Sequence, residues 1–195
     1  VILPHLSGKH ASDSPRDFSR TIDWALRWTL LLGLPAAVAL LVLAGPMIAT
    51  LFQSEVFQAE DVEMARRSLM AYSLGLVSFI MIKVLAPGYY ARQNTRTPVR
   101  FAVIAMASNM VMNLILVFPL AHAGLALATS LSASLNALLL FRGLRREGVY
   151  RPGQGWAALI LRGALASALM AGAMWWGLGD LQVWVSMGRM DRETK

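Results

Sequence analysis

The sequence predicts an all-α, polytopic membrane helix bundle with about five transmembrane helices. Three observations carry that expectation. Of 195 residues, 56% are hydrophobic and 15% are charged, with a mean hydropathy of +0.53. Soluble domains carry roughly 25% charged residues, and a chain this short cannot bury so much apolar surface within itself. The charges are segregated, and the longest charge-free run extends from Phe101 to Phe141. Finally, the apolar runs lack the alternation over about ten residues that marks a barrel strand. Helices and closed barrels are the two structures that satisfy the backbone in hydrocarbon. The same composition excludes disorder. Absence of cysteine excludes disulfides, zinc–thiolate sites and cysteine nucleophiles.

The charge-free stretches place the helices, given that about 20 apolar residues cross a bilayer. Trp28 to Ser54 carries no charge and predicts a span at 24–51. Ser68 to Ala91 carries a single charge, Lys83, and predicts 68–91. The run from Phe101 to Phe141 is too long for one span and breaks at Pro119-Leu120-Ala121-His122-Ala123-Gly124, a Pro/Gly-punctuated turn. It predicts two helices, 101–118 and 124–142. Pro152 to Gly179 carries a single charge, Arg162, and predicts 155–178. The expected organisation has five parts. Residues 1–23 are the end of a preceding helix and a cytoplasmic loop, and 24–142 hold four spans. Residues 143–154 are a basic cytoplasmic loop, 155–178 an additional span and 179–195 an outer-side tail. The chain reads as part of a longer polytopic protein, because its first residues look like the end of an element and five spans leave a basic tail outside.

Orientation follows from the loops. Residues 1–27, 92–100 and 142–154 hold four, three and four Lys or Arg. They share one side, which the positive-inside rule assigns to the cytoplasm. The opposite loop is acidic, with Glu55, Glu60, Asp61 and Glu63. Trp24 and Trp28 mark the inner interface, and Trp175, Trp176 and Trp184 the outer one. A net charge of +7 reflects this topology and contact with anionic membrane lipids. The basic residues lie in short juxtamembrane loops, not on one face, so no nucleic-acid partner is expected. His5, His10 and His122 lack metal-ligand spacing, and GxSxG, HExxH and P-loop patterns are absent.

Within the spans, Lys83 carries most interest. An ionisable group at depth faces a cavity or a partner, or snorkels to the headgroups about nine residues away. Pro87, four residues on, removes a helical hydrogen bond and kinks the helix near Lys83. Arg162 is placed to snorkel to the cytoplasmic headgroups, or to bind a lipid phosphate. Asn109 and Asn113 share a helix face at i, i+4. Opposite them lie Thr129, Ser130, Ser132 and Asn136. These groups either hydrogen-bond between antiparallel helices or ligate a hard cation such as sodium. Small residues from Gly124 to Ser134 permit close packing.

Several strings resemble the MurJ/MviN lipid II flippases. In order they are Leu3-Pro4-His5-Leu6-Ser7, Asp23-Trp24-Ala25-Leu26-Arg27, Leu34-Pro35-Ala36-Ala37, Leu51-Phe52-Gln53 and Ala71-Tyr72-Ser73-Leu74-Gly75. Then come Lys83-Val84-Leu85-Ala86-Pro87-Gly88-Tyr89-Tyr90-Ala91-Arg92-Gln93 and Thr95-Arg96-Thr97-Pro98-Val99, the most specific of the set. The resemblance covers about residues 1–180 and implies the C-terminal lobe of a fourteen-helix, MATE-like protein of the multidrug/oligosaccharidyl-lipid/polysaccharide superfamily. The helices here would be its ninth to thirteenth. It implies a bacterial inner-membrane transporter, not an enzyme. Its substrate would be undecaprenyl-diphosphate-linked MurNAc-pentapeptide-GlcNAc, moved to the periplasmic leaflet by alternating access against an N-terminal lobe that this sequence lacks. The substrate cavity would draw on Lys83, Pro87, Tyr89 and Arg92. Asn109, Asn113, Leu125 and Thr129 fall at sodium-ligand positions, with Asn113 where an acid can stand. Arg162 would lie at a groove for the lipid tail. No organic cofactor is implied; coupling to sodium or to the membrane potential is. The alternative is another exporter of the superfamily, for a polysaccharide lipid or a drug. A prenyl-lipid enzyme is disfavoured by the lack of buried carboxylates, and a non-transporting scaffold would leave Lys83 without a task.

Overall fold

The structure is a computed structural model and describes residues 15–52 and 59–178. These residues form α1 (Pro15–Phe52), α2 (Ala59–Tyr90), α3 (Arg96–Arg146) and α4 (Trp156–Leu178), with no strand among them. All four are long and apolar enough to cross a membrane. The helix end, the histidines and the basic residue expected in 1–14, and the tail with Trp184, lie outside the described residues.

The helical boundaries depart from the charge-free boundaries in a consistent way. α1 begins at Pro15, inside what the sequence assigned to a loop, and α2 begins at Ala59 instead of near 68. Charges mark where a helix leaves hydrocarbon, not where its hydrogen bonds stop. At about 1.5 Å per residue, the 38 residues of α1 run well past the hydrocarbon layer. Acidic residues in the first turns, Asp17 in α1 and Glu60 and Asp61 in α2, suit the positive ends of the helix dipoles.

The count also differs: four hydrogen-bonded helices stand where five were expected. The 51 residues of α3 are helical on both sides of one residue, Ala121, at φ 46° and ψ −125°. That residue lies in the expected turn, beside Pro119. The chain folds back there. Asn109 Nδ2 donates to Ser132 Oγ at 3.2 Å, whereas a straight helix would separate the two by about 34 Å. Gly124 is required at the fold, because a Cβ there would collide with the Leu116 carbonyl. So α3 is a hairpin of two antiparallel arms, and the break between them is a single residue wide instead of a loop.

α2 packs on both α1 and α3, while α4 packs chiefly on α1. α2 and α3 approach closely at Gly75, where an added Cβ would lie 2.8 Å from Ser130 Cα. Ser130 Oγ donates to the Ala71 carbonyl at 2.6 Å, and Ser78 and Ser134 share a hydrogen bond of 3.0 Å. Small residues thus let the α2 and α3 backbones touch. The densest packing is at the end assigned to the cytoplasm. Phe18, Ile22, Leu26, Val84, Leu85 and Leu144 are buried there with Tyr89 and Tyr150. Elsewhere large apolar side chains face outward, among them Phe118, Leu169, Trp175 and Trp176. Trp24 and Trp28 are exposed and meet edge to face, as interfacial aromatics would.

Two turns close this same end. Asn94 N–H donates to the Tyr89 carbonyl and Gln93 N–H to the Tyr90 carbonyl, with Gln93 at φ 57°. Val149 N–H donates to the Leu144 carbonyl and Gly148 N–H to the Arg145 carbonyl, with Gly148 at φ 69°. Both are the double-bonded C-terminal cap with a left-handed residue.

Candidate functional site

Lys83 lies exposed on α2, among the residues of an apolar span, and makes no hydrogen bond or ion pair among the described residues. Its own carbonyl lacks the usual helical donor, because Pro87 has no N–H. Helix α2 nevertheless continues through Pro87 to Tyr90, and Ala91 N–H donates to the Pro87 carbonyl at 2.9 Å. Pro87 itself is half-buried.

Tyr89 requires a correction. The resemblance set it beside Lys83 on a cavity wall, but it is 0% exposed. Its hydroxyl donates to the Leu140 carbonyl at 3.0 Å, and its ring meets Phe101 edge to face. The step of six positions from Lys83 turns Tyr89 to a different side of the helix. Tyr90, one position further, shares the Lys83 face and is exposed. Gly143 leaves room for the Tyr89 hydroxyl, which a Cβ would strike.

Arg92 also has a local partner. Its Nη1 donates to Glu147 Oε2 at 2.6 Å, joining the α2–α3 turn to the α3–α4 loop. Arg162 is exposed on α4 with no partner among the described residues.

The four residues that the resemblance sets at sodium-ligand positions lie along the α3 hairpin, within a hydrogen-bonded seam. Asn113 Nδ2 donates to Asn109 Oδ1 at 3.0 Å, and Asn109 Nδ2 to Ser132 Oγ. Ser132 Oγ donates to the Thr129 carbonyl at 2.9 Å, and Thr129 Oγ1 to the Leu125 carbonyl at 2.9 Å. Most oxygens in the seam are engaged. The Oδ1 atoms of Asn113 and Asn136 are buried without a partner. No group of three His, Asp or Glu able to hold a metal occurs among the described residues.

The most connected polar group was missed by the sequence reading. Asp23 Oδ1 accepts from Tyr150 Oη at 2.8 Å, Trp156 Nε1 at 2.8 Å and Gly153 N–H at 3.1 Å. Its Oδ2 accepts from Arg27 Nε at 2.7 Å. Arg27 then donates to the Gln154 carbonyl at 2.7 Å and lies over the Trp156 ring. Ser19 Oγ accepts from Arg151 N–H at 3.0 Å. Burial, reinforced by the hydrogen bond to Asp23, pushes the Tyr150 phenol above its ordinary range, so it stays a donor. This cluster fastens the α3–α4 loop and the start of α4 to α1. The only signal in the sequence was the i, i+4 spacing of Asp23 and Arg27; the other partners lie near the far end of the chain.

Comparison with known proteins agrees with this architecture. A family model described as lipid II flippase MurJ matches residues 1–190. A probable lipid II flippase MurJ of Vibrio cholerae is 49% identical over 192 residues, covering 98% of this chain and 37% of that protein. That of Haemophilus influenzae is 45% identical, covering 96% and 38%. The lipid II flippase MurJ of Burkholderia cenocepacia is 42% identical, covering 90% and 34%. A solved lipid II flippase MurJ in an inward closed conformation superposes with a TM-score of 0.74 at 24% identity, covering 97% of this chain and 40% of that one. The chain thus spans between a third and two-fifths of the length of these relatives. Its fold is shared with a MurJ structure, and its sequence belongs to the lipid II flippase MurJ family.

Proposed function

We propose that this chain forms part of a flippase that carries a polyprenyl-diphosphate-linked peptidoglycan precursor, lipid II, across the bacterial inner membrane. Membership of a family whose relatives bear that name supports the reading. The observation that carries it in the residues is Lys83, an exposed cation with no partner on an apolar span. An ammonium at membrane depth costs free energy unless it meets an anion or water. A diphosphate passing this face would supply the anion, and Tyr90 on the same face a hydrogen bond. A second lobe, supplied by the rest of a full-length protein, would form the opposite wall.

The amide, hydroxyl and carbonyl oxygens at Asn109, Asn113, Leu125 and Thr129 fit a hard monovalent cation in donor type, and the unpartnered Oδ1 of Asn113 is the open acceptor. Sodium bound there would supply positive charge and tie the hairpin to whatever element provides a carboxylate. Arg162, exposed on the outlying α4, would hold a lipid phosphate beside the polyprenyl tail.

The test is complementation of a strain depleted of its lipid II flippase, using the full-length gene, with outer-leaflet lipid II as readout. Rescue with restored outer-leaflet lipid II supports the proposal. Failure with the protein present in the membrane favours an exporter of another lipid-linked saccharide.

A further inference from the structure

The α3 hairpin carries a further outward-facing feature, apart from Lys83, from the Asn109 seam and from α4. A groove of about 590 Å³ runs between its arms, with apolar lining except for Ser108. Its walls are Ile104, Ala107, Val111 and Met112 from the first arm, and Leu131 and Leu135 from the second.

The register of the hairpin tells what stands at the mouth of the groove. Leu116 lies against Gly124, Asn109 against Ser132 and Phe101 against Gly143. In an antiparallel pair with that register, Val111 is nearly level with Leu131, Ala107 with Leu135 and Ile104 with Leu138, and Arg100 lies within about 3 Å of Arg142 along the helix axis. Steps of four, three and four positions along each arm keep these residues on one helix face. The stripe is therefore apolar for three levels and ends in two arginines side by side. Arg100, Arg142 and Leu138 are all exposed. Neither arginine has an ion pair or hydrogen bond among the described residues. From Arg100 to Met112 the stripe runs about 18 Å at 1.5 Å per residue, close to one leaflet of a hydrocarbon core about 30 Å thick.

We propose that this stripe is a binding site for an anionic phospholipid of the cytoplasmic leaflet. The paired guanidiniums of Arg100 and Arg142 hold its phosphate, and an acyl chain lies between the arms over Ala107 and Leu135. Two unneutralised cations at headgroup level favour a net negative headgroup over a zwitterion. The groove provides the length of contact that a surface charge alone lacks.

The site is tested on the purified protein in detergent, titrated with phosphatidylglycerol or phosphatidylcholine and followed by native mass spectrometry. The unmodified protein is expected to retain phosphatidylglycerol about tenfold better than phosphatidylcholine, and R100Q/R142Q to lose that preference. R16Q/R20Q removes two exposed arginines of the same side on α1 and is expected to leave the preference intact. A107W fills the groove while keeping both arginines, and is expected to lower retention of phosphatidylglycerol with unchanged circular dichroism. Equal preference in R100Q/R142Q, or an equal loss in R16Q/R20Q, overturns the proposal. So does undiminished retention in A107W. Displacement of the lipid by millimolar inorganic phosphate would also overturn it, by showing a phosphate site with no acyl component.

Discussion

The indole Nε1 of Trp156 and the carboxylate of Asp23 meet at 2.8 Å although 133 residues separate them in the chain. Three further donors reach the same carboxylate. D23N keeps the shape but weakens charge-assisted bonds that are worth about 1.5–3 kcal/mol each. Hydrogen–deuterium exchange is expected to rise in 147–156 and the first turn of α4, while the α3 hairpin stays protected. Unchanged exchange in that loop would show that apolar packing alone holds it.

Arg92 and Glu147 pair at 2.6 Å, with both side chains about one-third exposed. Such a pair contributes at most about 1 kcal/mol. R92E and E147R are each expected to lower the unfolding midpoint slightly, and R92E/E147R to recover most of the loss. A double variant as unstable as the sum of the singles would mean that the pair does not couple the two turns.

Gly75 sits where α2 and α3 cross. G75A sets a Cβ against the Ser130 backbone, and overpacking of this kind costs about 1–3 kcal/mol. Thermal unfolding of the detergent-solubilised protein should fall accordingly. G172A, on an open stretch of α4, is expected to leave the midpoint where it was.

K83A in the full-length protein is expected to impair growth rescue at normal membrane abundance, and K83R to retain it. P87A returns a donor to the Lys83 carbonyl and is expected to weaken transport. Full rescue by K83A would remove the cation from the mechanism.

N113D puts a carboxylate where the buried Oδ1 now lacks a partner. Sodium-dependent thermal stabilisation is expected to be stronger in this variant than in the unmodified protein. No sodium-dependent shift in either would leave the seam as interhelical hydrogen bonding.

The long apolar helices and the turn around Ala121 were legible because charge is excluded from hydrocarbon and Pro and Gly punctuate turns. The shared face of Asn109 and Asn113 was legible because i, i+4 spacing fixes a side of the helix. What escaped was anything set by long-range packing. Tyr89 and Tyr90 are adjacent and chemically identical, and only the position of α3 decides that one is buried and the other exposed. Asp23 looked like any interfacial acid until Tyr150 and Trp156 closed on it.

The single-residue break at Ala121 bears on how this segment enters the membrane. The run around it, from Phe101 to Phe141, carries no charge, and almost nothing lies between the two arms to be left outside as a hydrated loop. The two arms are expected to partition as one hairpin, so that insertion of this region proceeds in units of two helices instead of one.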